Sequence, residues 1–346
     1  MKTSRIAILD FLRACAILIM IFANASPYCF FGVKILPAVR ILFSIAAPIF
    51  IFLVGYTFAL NTELQSDHNR QKMRSLQILS MAVIIDLIVW RITPFSTFDV
   101  LYLIGISSFL LIYIRRIKSL YTLLFIVFII FTVHIYLLDP VCYRFDNDDI
   151  MPSHVYSYQS FLINSLKRFI FDGWFPFFPW FAVALIGFLA YYIKPNIPNQ
   201  NVLGILTIFN TVMFILLFDF KNISPSRNGY LELFYPVSIA LIFFILAISS
   251  ALTLLLSVNL NTSKYSINYM QTIGQYSLFV YLIHTILIAW ILKPICIFLN
   301  PGLGESILLI VSMIWVIVFI VCKLKTNIEK IKNLKIYPIL RFVLGL

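Results

Sequence analysis

Ten stretches of this chain are apolar for too long to belong to an ordinary soluble core. They cover roughly residues 6–26, 38–60, 75–93, 99–114, 119–137, 174–193, 201–219, 234–256, 275–297 and 304–322. A helix rises about 1.5 Å per residue, so about 20 apolar residues cross the hydrocarbon of a bilayer. Composition points the same way. The 346 residues are 62% hydrophobic and only 12% charged, whereas a soluble domain carries about 25% charged residues. The polar side chains are too few to cover a core of this size, and lipid must serve as the outer solvent. The expected fold is all-α: a polytopic integral membrane protein of about ten transmembrane helices. The fourth run is short and holds Gly105, and "RRIKS" between the fourth and fifth reads as a tight charged turn.

The formal charge of +12 would suit nucleic acid if the basic residues formed a patch. They lie instead in short loops and a tail between apolar runs, a pattern of membrane topology and anionic-lipid contact. No nucleic acid is expected as a partner; membrane lipids are. With the N-terminus inside, sixteen Lys and Arg fall on the inner side and nine on the outer, with Arg13 left inside a span. That bias favours both termini in the cytoplasm. The chain then divides into a transmembrane domain, 1–322, with an outward loop at 138–173, and a basic amphipathic tail, 323–346, along the inner membrane surface. Within the outward loop, "SFLINSLKRFIFDG" has the pattern of a short helix lying on the membrane. Asp146, Asp148 and Asp149 lack the spacing of a calcium loop and read as solvated, and His154, like His68, reads as a loop residue. Richness in Ile, Asn and Lys suggests an AT-rich bacterial gene, so the expected location is a bacterial plasma membrane. None of the five cysteines has the spacing of a metal site, and no metal is expected. Cys29 and Cys142 fall on the same side of this topology, where a disulfide between them is one option.

Polar residues inside the apolar runs are the candidate functional groups. The first run, "LDFLRACAILIMIFANASP", carries Asp10, Arg13 and Asn24. Asp10 and Arg13 are three apart and share a helix face. Asn24 returns to nearly that face at 3.6 residues per turn. A charge in a span costs several kcal/mol, so this stripe must face protein or water. An ion pair joining helices is one reading and the wall of a site is the other. A cleaved signal peptide, with Ala23-Asn24-Ala25 as its cleavage site, is a third, although Asp10 and Arg13 interrupt its apolar run.

In "GQYSLFVYLIHTILIAW", Ser277, Tyr281 and His284 recur at four and three on one helix face. An imidazole near mid-membrane needs partners, and its ordinary pKa near 6.5 suits acid–base work. A neutral histidine bonding two helices together is the alternative. Asp86 in "VIIDLIVWR" is a further acid within a span, open to the same two readings, and His134 lies nearer a span end. In "FDGWFPFFPWFAVALIGFLA", Pro176 and Pro179 interrupt a regular helix, the rings mark an interface, and Gly187 permits close helix packing. Asp172 and Trp180 here suit either an aromatic-lined entrance for a sugar or a plain aromatic belt. No nucleotide-binding glycine loop, nucleophile elbow or zinc motif occurs, which argues against an ATP-driven pump and a metallohydrolase.

The order of these motifs resembles the heparan-alpha-glucosaminide N-acetyltransferase-like family of membrane acyltransferases. The matching segments are "RIAILDFLRACAILIMIFANA", "SIAAPIFIFLVGYTFAL" with Pro48, Phe50 and Gly55, "FDVLYLIGISSFLLI", "FPFFPWFAVALIGFLA", "FYPVSIALIFFILA" and "IGQYSLFVYLIHTIL". They span residues 5–290 in order. The resemblance implies transfer of an acetyl or similar acyl group from acetyl-CoA or another acyl-CoA, taken from the cytoplasm, to a carbohydrate or glycolipid amine or hydroxyl on the far side. It carries over Asp10, Arg13, Asn24, Pro48, Trp180 and His284. Members of the human-enzyme type also have a histidine in the first outward loop; here "SPYCFFGVKILPAV" has none, and Ala14 replaces the glycine often found after the arginine. Asn24 stands where some related acyltransferases place histidine.

The expected roles follow. His284 takes the proton of the attacking acceptor, with Asp10 or Asp86 orienting it. Asn24 donates to the developing oxyanion. Arg13 binds donor phosphate or balances Asp10, with Tyr281 and Ser277 also on the donor, while Asp86, Asp172 and Trp180 receive the acceptor. Two rival functions use the same residues: a transporter or channel for a small polar solute or lipid-linked sugar, and a non-catalytic membrane scaffold.

Overall fold

Long apolar runs with few breakers give long helices, and fourteen are distinguished in the computed structural model, which describes residues 7–30, 35–64, 68–137, 158–193, 200–221, 223, 229–257 and 268–331. They are α1 Ala7–Cys29, α2 Pro37–Phe43, α3 Ala46–Leu64, α4 His68–Ile84, α5 Val100–Ile114, α6 Leu120–Leu137, α7 Tyr158–Lys167, α8 Phe177–Ile193, α9 Gln200–Leu217, α10 Ile239–Ser257, α11 Asn268–Gln275, α12 Ser277–Leu287, α13 Lys293–Leu299 and α14 Leu303–Ile331. π-helical turns extend α4 through Ile85–Trp90, α7 through Arg168–Asp172 and α12 through Ile288–Leu292.

The fold is all-α and crosses the membrane several times. Among the described residues, seven segments are long and apolar enough to cross, or eight if the bent pair Ile163–Asp172 and Phe177–Ile193 forms one span. Helices Val100–Ile114 and Leu120–Tyr136 are apolar but shorter, which separates this number from the ten runs of the sequence. The pair is bent by 51° at the break, where Pro176 and Pro179 withhold the backbone N–H groups a continuous helix needs. α14 runs on to Ile331, past residue 322, so the tail begins as helix; residues 332–346 lie outside the described residues, as do Asp146, Asp148, Asp149, His154 and the first part of the 138–173 loop. The later part of that loop is α7, and it leads into the bent pair rather than standing alone.

Among the described residues, two apolar cores hold the bundle together. The larger is built on α3, α5, α8 and α10, the smaller on α1 and α11–α14. α12 stands at the seam: Tyr281 packs into the first and Val280 into the second. Large side chains such as Phe298, Phe319, Leu308 and Phe128 stay exposed on the outside, the face a lipid solvent requires. Lipid provides little hydrophobic drive between helices, so close backbone approach matters more. α3 and α8 achieve it with paired glycines: a Cβ on Gly55 would stand 1.8 Å from the Ala184 carbonyl oxygen, and one on Gly187 2.0 Å from that of Phe52. α1 and α11 meet as closely, at Gly274, where a Cβ would lie 1.8 Å from the Asp10 carbonyl oxygen.

One option left open by the sequence is closed. Cys29 bonds to Cys296, with a Cα–Cα distance of 5.3 Å across 267 residues of sequence, so Cys29 is not paired with Cys142. The antiparallel return of the bundle brings the far end of α1 beside α13, a proximity that sequence distance hides.

Candidate active site

α1 and α12 run side by side, and their polar residues meet at one level. Asn24 Nδ2 lies 3.0 Å from His284 Nε2. His284 Nδ1 lies 3.0 Å from the Val280 carbonyl oxygen, one turn back on its own helix. A carbonyl oxygen only accepts, so Nδ1 carries the proton. Nε2 is then a bare lone pair, and the Asn24 amide donates to it. The imidazole is wholly buried and held in one tautomer by two partners. The disulfide Cys29–Cys296 ties the same two stretches of chain beyond the pair.

Around this pair lies a set of tyrosines and carboxylates. The Tyr281 ring stands edge-on to His284, with centroids 5.0 Å apart, and its hydroxyl donates to Asp99 Oδ2. The other oxygen of Asp99 accepts from the Val100 N–H at 2.6 Å and caps α5. Asp86, buried in the π-helical turn after α4, accepts from Tyr102 at 2.6 Å. It lies within electrostatic range of Tyr281.

The stretch 229–237 closes this end of the bundle. Gly229, at φ +84°, packs on Pro27 of α1, a backbone region that favours glycine. Tyr230 hydrogen-bonds Tyr28. The Leu231 carbonyl accepts from Arg40 Nε at 2.8 Å, the Leu233 N–H donates to Ser44 Oγ at 2.9 Å, and His134 Nε2 donates to the Val237 carbonyl at 2.8 Å. Trp174 stands edge-on to Tyr230 and Tyr235, at 4.6 and 4.9 Å, and Trp180 to Phe234 at 4.7 Å. Between the two backbone anchors sits Glu232. Its carboxyl is pushed up to about 7, by burial first; its own backbone N–H and Arg40 pull it down and Asp99 pushes it further up.

The residues singled out in the sequence therefore separate into groups. Asn24, His284 and Tyr281 come together, and Asp86, bonded to Tyr102, lies within electrostatic reach of Tyr281. Asp10 and Arg13 pair with each other at 3.0 Å, near the opposite end of α1. Fourteen residues of helix put Asp10 ~21 Å from Asn24 along the axis, so Asp10 does not orient His284. Ser277 starts α12 about two turns before His284. Asp172 is 3.9 Å from Lys167. Trp180 is fully buried rather than lining an open mouth, and its Nε1 has no hydrogen-bond partner among the described residues. His68 is the first residue of α4 and contacts Arg115, and His134 is buried. Asp99, Arg40, Tyr230 and Glu232 escaped the sequence reading. Glu232 had a signal: it is the only acid between Asp219 and Glu305, and aromatic residues flank it. Among the described residues no cluster of three or more His, Cys, Asp or Glu is suited to a metal ion.

A buried imidazole with a presented lone pair, an amide donor against it, and aromatic walls at one end of a helical bundle define a multi-pass membrane protein equipped for group transfer. The comparison with known families makes the assignment particular. The family model for the heparan-alpha-glucosaminide N-acetyltransferase catalytic domain matches residues 5–218, well over half the chain, and the chain belongs to that family. It is a transmembrane acyltransferase by that membership. No match was found among curated proteins.

Proposed function

We propose that this chain moves an acetyl group, or a similar acyl group, from acyl-CoA on the cytoplasmic side to an amine or hydroxyl of a carbohydrate or glycolipid on the other side. The observation that carries this reading is the Asn24–His284 contact at 3.0 Å. A nucleophile that displaces the amide from Nε2 meets a lone pair already presented to it. As its oxygen or nitrogen bonds to the thioester carbonyl carbon, its proton passes to Nε2. The freed Asn24 N–H groups then donate to the carbonyl oxygen as negative charge gathers there. When the C–S bond breaks, the imidazolium returns the proton to the departing thiolate, and His284 is again neutral. Tyr281 packs the ring in place, and Asp99 holds Tyr281.

Asp10 and Arg13 stand at the other end of α1, where Arg13 is suited to a phosphate of the donor entering from the cytoplasm, with Ser277 nearer that side than His284. Asp86 and the aromatic residues around Trp174 and Trp180 would shape the acceptor end, with Asp172 further out. Ten crossings, both termini inside, follow if the bent pair and the two short helices all span. The transmembrane domain then covers 1–322 and the tail 323–346. A disulfide at the acceptor end accords with that end facing an oxidising compartment. A bacterial plasma membrane is the proposed location.

The experiment is incubation of the purified full chain with labelled acetyl-CoA and amino sugars. Acetylated sugar from the wild type, lost by ~100-fold or more in His284→Ala, supports the reading. Sugar counterflow without chemistry would instead support a transporter. Neither chemistry nor transport would leave a scaffold.

A further inference from the structure

Glu232 is an anomaly that the acyl-transfer steps above do not use. It is a carboxylate held close to one end of a membrane bundle, and its Oε2 is buried with no hydrogen-bond partner among the described residues. A buried carboxylate oxygen without a hydrogen bond forfeits its hydration, and the nearby Arg40 charge offsets only part of that loss, since the carboxyl stays raised. Such a group is costly unless something outside the chain completes it.

Its position is built rather than incidental. The backbone on either side is pinned, Leu231 by Arg40 at 2.8 Å and Leu233 by Ser44 at 2.9 Å. Gly229 against Pro27 and Tyr230 against Tyr28 press the same strap on the last turn of α1, the helix that carries Asn24 one turn earlier. Phe234, two residues on, packs against Trp180. The charged and titratable groups that act on Glu232 are Arg40 from α2 and Asp99 from the start of α5, with Tyr230 of its own strap in range and bonded in turn to Tyr28 of α1. Asp99 in turn binds the tyrosine that packs on His284.

We propose that Glu232 is a catalytic residue of the acceptor subsite: its Oε2 receives the proton that a protonated amine acceptor must lose before it can attack. The step deepens the acyl-transfer reading and rests on it. The ammonium R–NH3+ gives one proton to the Glu232 carboxylate and becomes R–NH2, with its lone pair restored. The amine then forms the C–N bond while His284 takes the second proton, and Glu232 later releases its own to water on the acceptor side. A single imidazole has one open nitrogen here and handles one proton per turnover; an ammonium acceptor brings two. A carboxyl raised to about 7 by burial, against the pull of Arg40, is matched to that exchange near neutral pH.

The test uses the full chain in detergent or nanodiscs, with acetyl-CoA as donor and glucosamine as acceptor probe, for wild type, Glu232→Gln and Glu232→Asp. Wild-type kcat/KM for glucosamine should rise through a limb near pH 7. Glu232→Gln should lose ~100-fold at pH 8 and lose that limb, with acetyl-CoA affinity unchanged and a thermal midpoint at pH 8 no lower than wild type. Glu232→Asp should regain part of the rate and the limb. A Glu232→Gln protein within threefold of wild type with the limb intact overturns the assignment, and so does a lost rate that comes with a lowered midpoint and is not restored by Asp. Should the wild type transfer no acetyl group at all, the acyl-transfer reading fails by itself. Calorimetric glucosamine binding then decides the subsite: binding at least tenfold weaker in Glu232→Gln supports it, and equal or absent binding overturns it.

Discussion

Replacing Asn24 by Leu separates the chemical role of the amide from its structural one. Leu keeps the heavy-atom count and branching of Asn, is somewhat bulkier, and removes both N–H donors. Two costs follow from the geometry. His284 Nε2, fully buried and bonded to Asn24 at 3.0 Å, is left without a donor, and an orphaned buried acceptor costs about 1–3 kcal/mol. The methyl groups recover part of that by packing in the smaller core, so the net stability loss should be about 1–2 kcal/mol. The rate should fall further. If the same N–H groups receive the developing oxyanion, their loss costs about 100- to 1,000-fold in kcat, equivalent to about 3–4 kcal/mol of barrier. A group acting only in the transition state lowers kcat and kcat/KM together and leaves KM nearly constant. The assay is steady-state acetyl transfer at varied acceptor concentration, with thermal unfolding of the same samples. An Asn24→Leu protein that unfolds earlier yet keeps kcat within threefold would refute the oxyanion role and leave Asn24 as a helix-joining residue.

Three further outcomes are expected. Gly187→Val should destabilise the bundle by about 3 kcal/mol or prevent its folding, because even a Cβ would stand 2.0 Å from the Phe52 carbonyl oxygen and overpacking of this kind costs at least about 1–3 kcal/mol; thermal unfolding in detergent reads it, and an unchanged midpoint would count against the α3–α8 contact. Non-reducing digestion and mass spectrometry should recover a peptide cross-linked through Cys29 and Cys296, and a Cys29–Cys142 peptide in its place would contradict the packing of α1 on α13. The Glu232 carboxyl is raised from its ordinary value to about 7, so the folded state holds that proton more tightly than the unfolded one. Its contribution to stability is full below about pH 4.5 and is lost as the pH rises through about 7. Glu232→Gln should therefore unfold like wild type at pH 5 and at a higher temperature at pH 8, by on the order of 2 kcal/mol; a variant less stable at pH 8 would reverse that sign.

The membrane fold was legible because apolar runs of helix length need no tertiary information. The facing of Asn24 and His284 was half legible. Each stood out as a polar residue in an apolar run, and each demanded a partner, but only the packing of α1 on α12 made them partners for each other. Asp10 shows the limit of periodicity. A spacing near a multiple of 3.6 places two residues on one face of a helix and says nothing of depth, so a shared stripe suggested contact between groups that stand at opposite ends. Asp99 and Glu232 were hidden for a different reason. They lie between helices, where neither the hydrophobic period nor the charge pattern reports which bundle end a segment covers. The Cys29–Cys296 bond was hidden by its 267-residue separation. The break before α8 was visible in Pro176 and Pro179, although the burial of Trp180 behind it was not: tryptophan in such a sequence suits an interface and a core equally well.

The most direct test of the central claim uses sealed proteoliposomes with glucosamine trapped inside and acetyl-labelled CoA added outside. Group transfer through the Asn24–His284 pair predicts labelled N-acetylglucosamine accumulating inside vesicles that hold the wild-type chain, and none above background with His284→Gln. Label that stays on CoA, or a His284→Gln protein that acetylates the trapped sugar as fast as wild type, would contradict it.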